Sequence, residues 1–208
     1  EEKGISAFVI DADTEGMSLN PPEKKMGWCG SDTRSVFFKD MHIPKSAVLG
    51  NPSKGFKQFL KTLTGGRITI GALGIGTAQG AFARALAYSQ EREAFGKPIH
   101  KFQGVSFKLS DMATQIEAAR HLVYYAAWKK DRGLPVIKEA AMAKLFSSET
   151  AMMVTTEAIQ VLGGYGYIKE YDVERFFRDA KILEIGEGTS EIQRMIIARE
   201  LINSVQPV

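Results

Sequence analysis

Gly186-Glu187-Gly188-Thr189-Ser190-Glu191-Ile192-Gln193 sets one carboxylate between two glycines, just ahead of a helix-forming run from Met195 to Ile202. Glycines on both sides let the backbone approach a ligand closely and take positive φ without steric penalty. Ser190 and Gln193 have the spacing of a capping box, in which each side chain satisfies a backbone N–H of the first helical turn. A carboxylate held there could take a proton from a substrate delivered to the helix N-terminus. A glycine hinge and a capped helix, with Glu187 favoured by the helix dipole, would give the same pattern.

Other chemistries find less support. Arg67 to Gly71, followed by Gly74, Gly76 and Gly80, has the look of a strand entering a Gly-rich nucleotide turn. The dinucleotide fingerprint needs its third glycine three residues after the second, and that position holds Gln79. The stretch therefore reads as a helix with small residues at a crowded crossing. His42, His100 and His121 lie far apart in the chain, which argues against a metal centre and lends nothing to a Ser-His-Asp triad. Cys29 is the single cysteine, so an intrachain disulfide and a cysteine metal cluster are both ruled out.

Composition narrows the class further. The 208 residues are 44% hydrophobic and 25% charged, enough to bury a sizeable core and ordinary for a soluble globular protein. The net charge of +3 is too mild to argue for nucleic acid. The uncharged run between Arg67 and Arg84 contains Thr69, Thr77 and Gln79 and falls short of the roughly 20 apolar residues a membrane span needs. A reducing compartment is expected. Starting at Glu1 directly before strand-like sequence, the chain is expected to be the later part of a longer protein.

The elements that must position Glu187 are mostly helical. Residues 1–50 read as β, with Ile5 to Ile10 and Ser35 to Phe38 rich in β-branched and aromatic residues and turn chemistry at Asn20-Pro21-Pro22 and Cys29-Gly30-Ser31-Asp32. So few strands do not make a stable sheet alone. A domain boundary is placed near residue 50. From Gly55 to about Gln90 a long helix is expected, although Gly65, Gly66, Gly71, Gly74, Gly76 and Gly80 interrupt it. Each interior glycine costs about 1 kcal/mol relative to Ala, so close packing or ligand approach must compensate.

Phe102, Val105, Leu109, Met112, Ile116, Ala119, Val123 and Ala126 step by three and four, giving one apolar stripe on a second helix. Pro135 is expected to start a third, whose stripe runs through Ala141, Leu145, Ser148, Met152, Thr155, Ile159 and Leu162 until Gly163-Gly164 stops it. A short amphipathic piece from Val173 to Ala180 precedes the last helix. The fold class that follows is mainly α: a C-terminal four-helix-type bundle over residues 51–208, preceded by a short partial β-domain segment over residues 1–50.

Two further stretches look bland alone. Glu91-Arg92-Glu93-Ala94-Phe95-Gly96 reads as a solvated helix end with an aromatic tucked beneath it, and Gln160 to Tyr167 as a glycine C-cap and turn. In order, however, Gly66-Arg67, Arg92 to Gly96, Gln160-Val161-Leu162-Gly163-Gly164-Tyr165-Gly166-Tyr167, Arg178-Asp179-Ala180 and Glu187-Gly188-Thr189-Ser190-Glu191-Ile192-Gln193 closely resemble the acyl-CoA dehydrogenase family, nearest its short-chain (butyryl-CoA) type. Residues 1–50 resemble the closing part of that family's middle β-domain, and residues 51–208 its C-terminal helical domain.

The resemblance implies FAD-dependent α,β-dehydrogenation of acyl-CoA thioesters, with Glu187 as the base for the α-proton while a hydride leaves the β-carbon for flavin. That chemistry asks for a base active near neutral pH and for donors aimed at the thioester oxygen. The resemblance assigns the donors to the backbone N–H of Glu187 and a ribityl hydroxyl of the cofactor. Some family members carry the base on the long helix instead, at the position of Gly66, which has no side chain here. Thr64, Gly65, Gly66, Arg67 and Gly188 are implied to contact the acyl-CoA. Arg92, Phe95 and Gln103, together with Thr189, Ser190 and Glu191, are implied to contact FAD. Gln160, Val161, Leu162, Gly163 and Gly164 are implied to hold its adenosine-diphosphate part from a neighbouring subunit. Thr64 and Gly186 depart from the family, which often has Asp and Tyr there.

The resemblance further implies a homo-oligomer (dimer or tetramer) sharing its FAD sites, with an electron-transfer flavoprotein as the onward acceptor. The location the resemblance implies is the cytoplasm if the source is bacterial and the mitochondrial matrix if it is eukaryotic. Two alternatives remain: a noncatalytic helical assembly module without flavin, and an acyl-CoA oxidase-like enzyme.

Overall fold

The computed structural model describes residues 4–204, and its chain divides into two compact units between Leu63 and Thr64. In the first unit β1 (Ala7–Phe8) pairs antiparallel with β4 (Val48–Leu49), and β2 (Met17–Leu19) with β3 (Val36–Phe38). These strands are shorter than the expected runs, and Phe8, Val36, Phe37 and Phe38 are all exposed. The long helix α1 (Gly55–Glu91) begins here, its Gly55 N–H donating to the Ile5 carbonyl at 2.9 Å. The turn-like glycines from Gly71 to Gly80 all lie inside α1, so the chain has no nucleotide-type strand and turn there.

The second unit is the expected bundle. Its long helices are the body of α1, α2 (Gln103–Asp131), α3 (Ile137–Leu162) and α6 (Ser190–Ser204). A hairpin of β5 (Glu93–Ala94) and β6 (Lys97–Pro98) joins α1 to α2, while the short α4 (Gly164–Tyr167) and α5 (Val173–Ala180) join α3 to α6. Pro135 stands one residue before the cap Val136 and not inside α3 as the sequence suggested. Among the described residues no helix is long and apolar enough to cross a membrane.

On α2 the buried residues are Leu109, Met112, Ile116, Ala119, Val123 and Ala126, one stripe at helical spacing. Helix α3 is buried over a much wider arc, with small or polar side chains such as Ala140, Ala143, Ser147, Thr150 and Ala151 inside. It packs against α2, α5 and α6. The glycines of α1 let it approach α2, α3 and α5 closely. A Cβ on Gly71 would lie 2.9 Å from Val123, one on Gly74 2.9 Å from the Ser147 carbonyl oxygen, and one on Gly80 2.7 Å from Phe176.

Gly76 is the exception, since a Cβ there would meet nothing within 4 Å. Of the two expected compensations, close packing within the described residues is absent at this position. Gly74→Ala is therefore expected to destabilise the protein by about 1–3 kcal/mol through overpacking on rigid backbone. Gly76→Ala is expected to stabilise it by about 1 kcal/mol through helix propensity. Urea unfolding of the two variants checks the pair, and shifts of the same sign would contradict this account of the crossing.

Candidate active site

Glu187 sits in a turn between a 3₁₀ segment (Lys181–Glu184) and α6. Its φ is +57° and that of Gly188 is +94°, so two consecutive residues are left-handed, one of them without glycine's freedom. This conformation turns the Glu187 side chain onto α1. A Cβ built on Gly66 would fall 2.5 Å from Glu187 Oε2 and 3.0 Å from its carboxyl carbon. The carboxylate thus occupies the space that the missing side chain at residue 66 leaves. Its Oε2 is buried and accepts no hydrogen bond from the described residues.

Two buried cations flank the carboxylate. Arg67, next to Gly66 on α1, is 6% exposed, and its Nε has no partner among the described residues. Burial pulls the Arg67 guanidinium below its ordinary range, the Glu187 charge opposes that shift, and Arg199 adds to it. Lys144 on α3 is fully buried, and its Nζ donates to the Gly188 carbonyl at 2.8 Å. Burial lowers the Lys144 ammonium; Glu184 pushes it back up, Arg67 lowers it again, and Glu187 and Glu191 raise it.

The capping arrangement differs from the expected box. Thr189, not Ser190, caps α6: its hydroxyl accepts from the Ile192 N–H at 3.4 Å and its carbonyl from the Gln193 N–H at 3.0 Å. Ser190 is already helical, with its Oγ buried and unpartnered among the described residues. Gln193 reaches back to backbone carbonyls, donating from Nε2 to Gly188 at 2.8 Å and Glu187 at 3.3 Å. The Glu187 N–H takes no backbone partner among the described residues. Glu191 is exposed, and hydrogen bonds from its own N–H and the Thr189 hydroxyl hold its carboxyl below the usual range.

Thr64 and Gly65 occupy the turn of α1 before Gly66, and a Cβ on Gly65 would fall 2.6 Å from Lys130 Nζ. Gly66, Arg67, Glu187 and Gly188 therefore form one cluster, with Thr189 and Ser190 following them at the start of α6. A second cluster lies at the other end of α3. Arg92, Val161, Leu162, Gly163 and Gly164 line a cleft of about 590 Å³ with Tyr88 and Tyr165. The Arg92 guanidinium lies over the Tyr165 ring, 5.9 Å from its centroid. A Cβ on Gly163 or Gly164 would meet nothing within 4 Å, so both backbones face open space. Gln160 is exposed in the last turn of α3.

Phe95 is not tucked under a helix end. It is 96% exposed at the tip of the β5–β6 hairpin, with φ of +51° followed by Gly96 at +77°, the signs of a two-residue type I′ turn. Its ring meets Phe102 edge-on at 6.1 Å, beside Gln103, the exposed first residue of α2. At about 1.5 Å rise per residue, roughly 25 Å of α3 separates Lys144 in the first cluster from Val161 in the second.

Lys144 is outside the sequence expectations, although its signal is present. Ala140, Ala141, Ser147, Ser148 and Ala151 mark the inner face of α3, and Lys144 falls at helical spacing between them. A lysine in such a stripe requires a partner. Gln193 is expected to cap α6, but its side chain serves the Glu187–Gly188 turn instead. Tyr165 enters the sequence expectations only as part of the Gln160 to Tyr167 run and Tyr88 not at all, because their clustering depends on α4 folding back after Gly163.

Residues 53–202 match the family model described as acyl-CoA dehydrogenase, C-terminal domain. The chain is 54% identical over 198 residues to a probable acyl-CoA dehydrogenase of Bacillus subtilis, covering 95% of this chain and 52% of that protein. It superposes on the structure of butyryl-CoA dehydrogenase from Megasphaera elsdenii with a TM-score of 0.95 at 49% identity, covering 97% of this chain and 52% of that one. A chain in a structure described as the electron transferring flavoprotein of Acidaminococcus fermentans matches with a TM-score of 0.94 at 47% identity, covering 96% and 52%. The chain spans about half the length of the curated relatives it matches.

Proposed function

This chain belongs to the acyl-CoA dehydrogenase family, and on that premise we propose that it carries the base and half of each cofactor site of an FAD-dependent acyl-CoA dehydrogenase acting on short acyl chains. The observation that carries this reading is the Glu187 carboxylate, seated against Gly66 with Oε2 buried and unpaired. A carboxylate oxygen with no other partner is free to accept a proton from a carbon acid placed beside it. The Glu187 N–H, also without a backbone partner among the described residues, is suited to the thioester oxygen as negative charge develops there. Thr64, Gly65, Arg67 and Gly188 would line the acyl-CoA around it.

The residues present fit FAD. Open backbone at Gly163-Gly164 beside the Arg92 guanidinium suits a pyrophosphate, and Val161, Leu162 and Tyr165 supply apolar walls. Bound FAD would supply the redox chemistry by accepting the β-hydrogen as hydride. Thr189, Ser190 and Glu191 would meet the cofactor beside Glu187, where the buried Ser190 Oγ lacks a partner among the described residues. Phe95 and Gln103 would meet it from the hairpin and the start of α2.

The two clusters stand at opposite ends of α3, so one chain offers two separate half-sites. That separation supports a homo-oligomer in which Gln160 to Gly164 and Arg92 serve a neighbour's cofactor. Exposed apolar residues on α6, Met195 at 66% and Ile202 at 72%, suit such burial. Likeness to butyryl-CoA dehydrogenase supports short acyl chains, and likeness to the chain in the electron transferring flavoprotein structure supports that protein as the onward acceptor.

The test is anaerobic addition of butyryl-CoA to the full-length, flavin-loaded protein. Loss of the oxidised-flavin absorbance, restored by an artificial acceptor, is expected. A colourless protein that cannot be loaded with FAD, or a flavin that no acyl-CoA bleaches, would overturn the reading.

A further inference from the structure

The Gly188 carbonyl accepts two side-chain hydrogen bonds from different helices, Lys144 Nζ on α3 at 2.8 Å and Gln193 Nε2 on α6 at 2.8 Å. Resting on the reading of Glu187 as the base, we infer that Lys144 and Gln193 form a clamp on this carbonyl that positions the base. Neither residue is assigned to the substrate or the cofactor. Each acts through the Gly188–Thr189 peptide, one residue beyond Glu187, and Gln193 also through the Glu187 carbonyl.

Three observations carry the clamp. First, both side chains are completely buried, and a buried lysine is retained only where its donors are used. Second, the peptide they hold lies in the left-handed turn at Glu187 and Gly188. A non-glycine residue in that region persists only where its surroundings over-determine it. Third, the backbone anchors on either side stop short of the turn: Gly186 N–H to the Ile182 carbonyl before it, Gln193 N–H to the Thr189 carbonyl after it. Between those anchors the side-chain bonds to Glu187 and Gly188 come from Lys144 and Gln193.

The consequence is directional. Without the clamp, Glu187 relaxes toward ordinary negative φ, which swings its carboxylate out of the space beside Gly66 and turns its N–H away. Both groups proposed to meet the thioester move together. Ground-state binding, made mostly by the rest of the acyl-CoA, changes far less.

The test compares Lys144→Met and Gln193→Met with the parent in the full-length, FAD-loaded enzyme, reading kcat, KM for butyryl-CoA and the α-deuterium isotope effect. Lys144→Met keeps an unbranched apolar stem, one heavy atom shorter than the lysine, but cannot donate. It is expected to lower kcat about 10- to 100-fold, since small displacements of a reacting group cost that much. KM should stay within about threefold, because the loss is confined to the transition state. The isotope effect should rise as proton abstraction becomes limiting. Gln193→Met should show the same signature with a smaller loss, and it decides the matter if Lys144→Met does not fold.

An unchanged kcat in a folded, flavin-loaded variant overturns the clamp, and so does a loss confined to KM or to flavin content. Activity in Glu187→Gln would overturn the assignment of the base itself. An inactive Glu187→Gln beside a normal Lys144→Met overturns the clamp alone.

Discussion

With Glu187 as the proposed base, Glu187→Gln in the full-length protein is expected to lower turnover of butyryl-CoA by about 10³- to 10⁴-fold, the upper range for loss of a general base. The amide matches the carboxylate in size and can fill the same space beside Gly66. Flavin content, folding and acyl-CoA binding should therefore be kept. What it lacks is an oxygen able to hold the α-proton. No neighbour is placed to substitute. Gly66 has no side chain, Glu184 is paired with Lys181 at 2.5 Å, and Glu191 is exposed with its carboxyl bonded to Thr189. The measurement is anaerobic bleaching of the bound flavin, followed in single turnover so that product release does not mask the effect. Turnover within tenfold of the parent would place the base on another residue.

The sequence made the frame of this site legible but not its supports. The stripe on α2 could be read because its buried side is narrow and made of large apolar residues, so hydrophobicity alone separates inside from outside. On α3 the same reading picked Leu145, Met152 and Ile159, which are only half-buried, and missed Lys144, Ser147 and Val154, which are fully inside. A helix packed on several neighbours has little solvent face, and its interior is chosen for volume as much as for polarity. The glycines of α1 show the same point. They are recognisable as costly in a helix, but the partners that Gly65, Gly66, Gly71, Gly74 and Gly80 accommodate lie tens of residues away.

Local turn chemistry was legible in type and not in register. The run from Gly186 to Gln193 announces a capped helix, and α6 does begin there, yet the cap is Thr189 and Gln193 is diverted to the Gly188 carbonyl. The positive φ of Glu187 has no sequence signature, because a non-glycine residue ordinarily takes negative φ and the groups that hold this turn lie on α3 and α6. Phe95 failed for a different reason. An aromatic after a helix is ordinarily buried, but Phe95-Gly96 closes a tight hairpin, and the turn projects the ring outward. The strands of the first unit were located but overlong, since β-rich composition marks a region without setting how much of it pairs.

Gly66→Ala separates stability from activity. In an ordinary helix interior this change stabilises by about 1 kcal/mol, through propensity and a less flexible unfolded chain. At Gly66 the added methyl would stand 2.5 Å from Glu187 Oε2, well inside contact distance. The atom in its way is the end of a flexible side chain, not backbone, so the cost of relief is small and the carboxylate simply moves. The melting temperature of the variant should therefore be unchanged or slightly raised. Its kcat should fall about 10- to 100-fold, because the displaced carboxylate no longer meets the α-carbon at reacting distance. Moving the carboxylate to α1, as Gly66→Glu combined with Glu187→Gly, starts a new side chain in the same space and should recover part of what Glu187→Gly alone loses. Thermal unfolding and steady-state kinetics on the three variants decide it. A Gly66→Ala enzyme with full activity would mean that the seat beside residue 66 is not where Glu187 works.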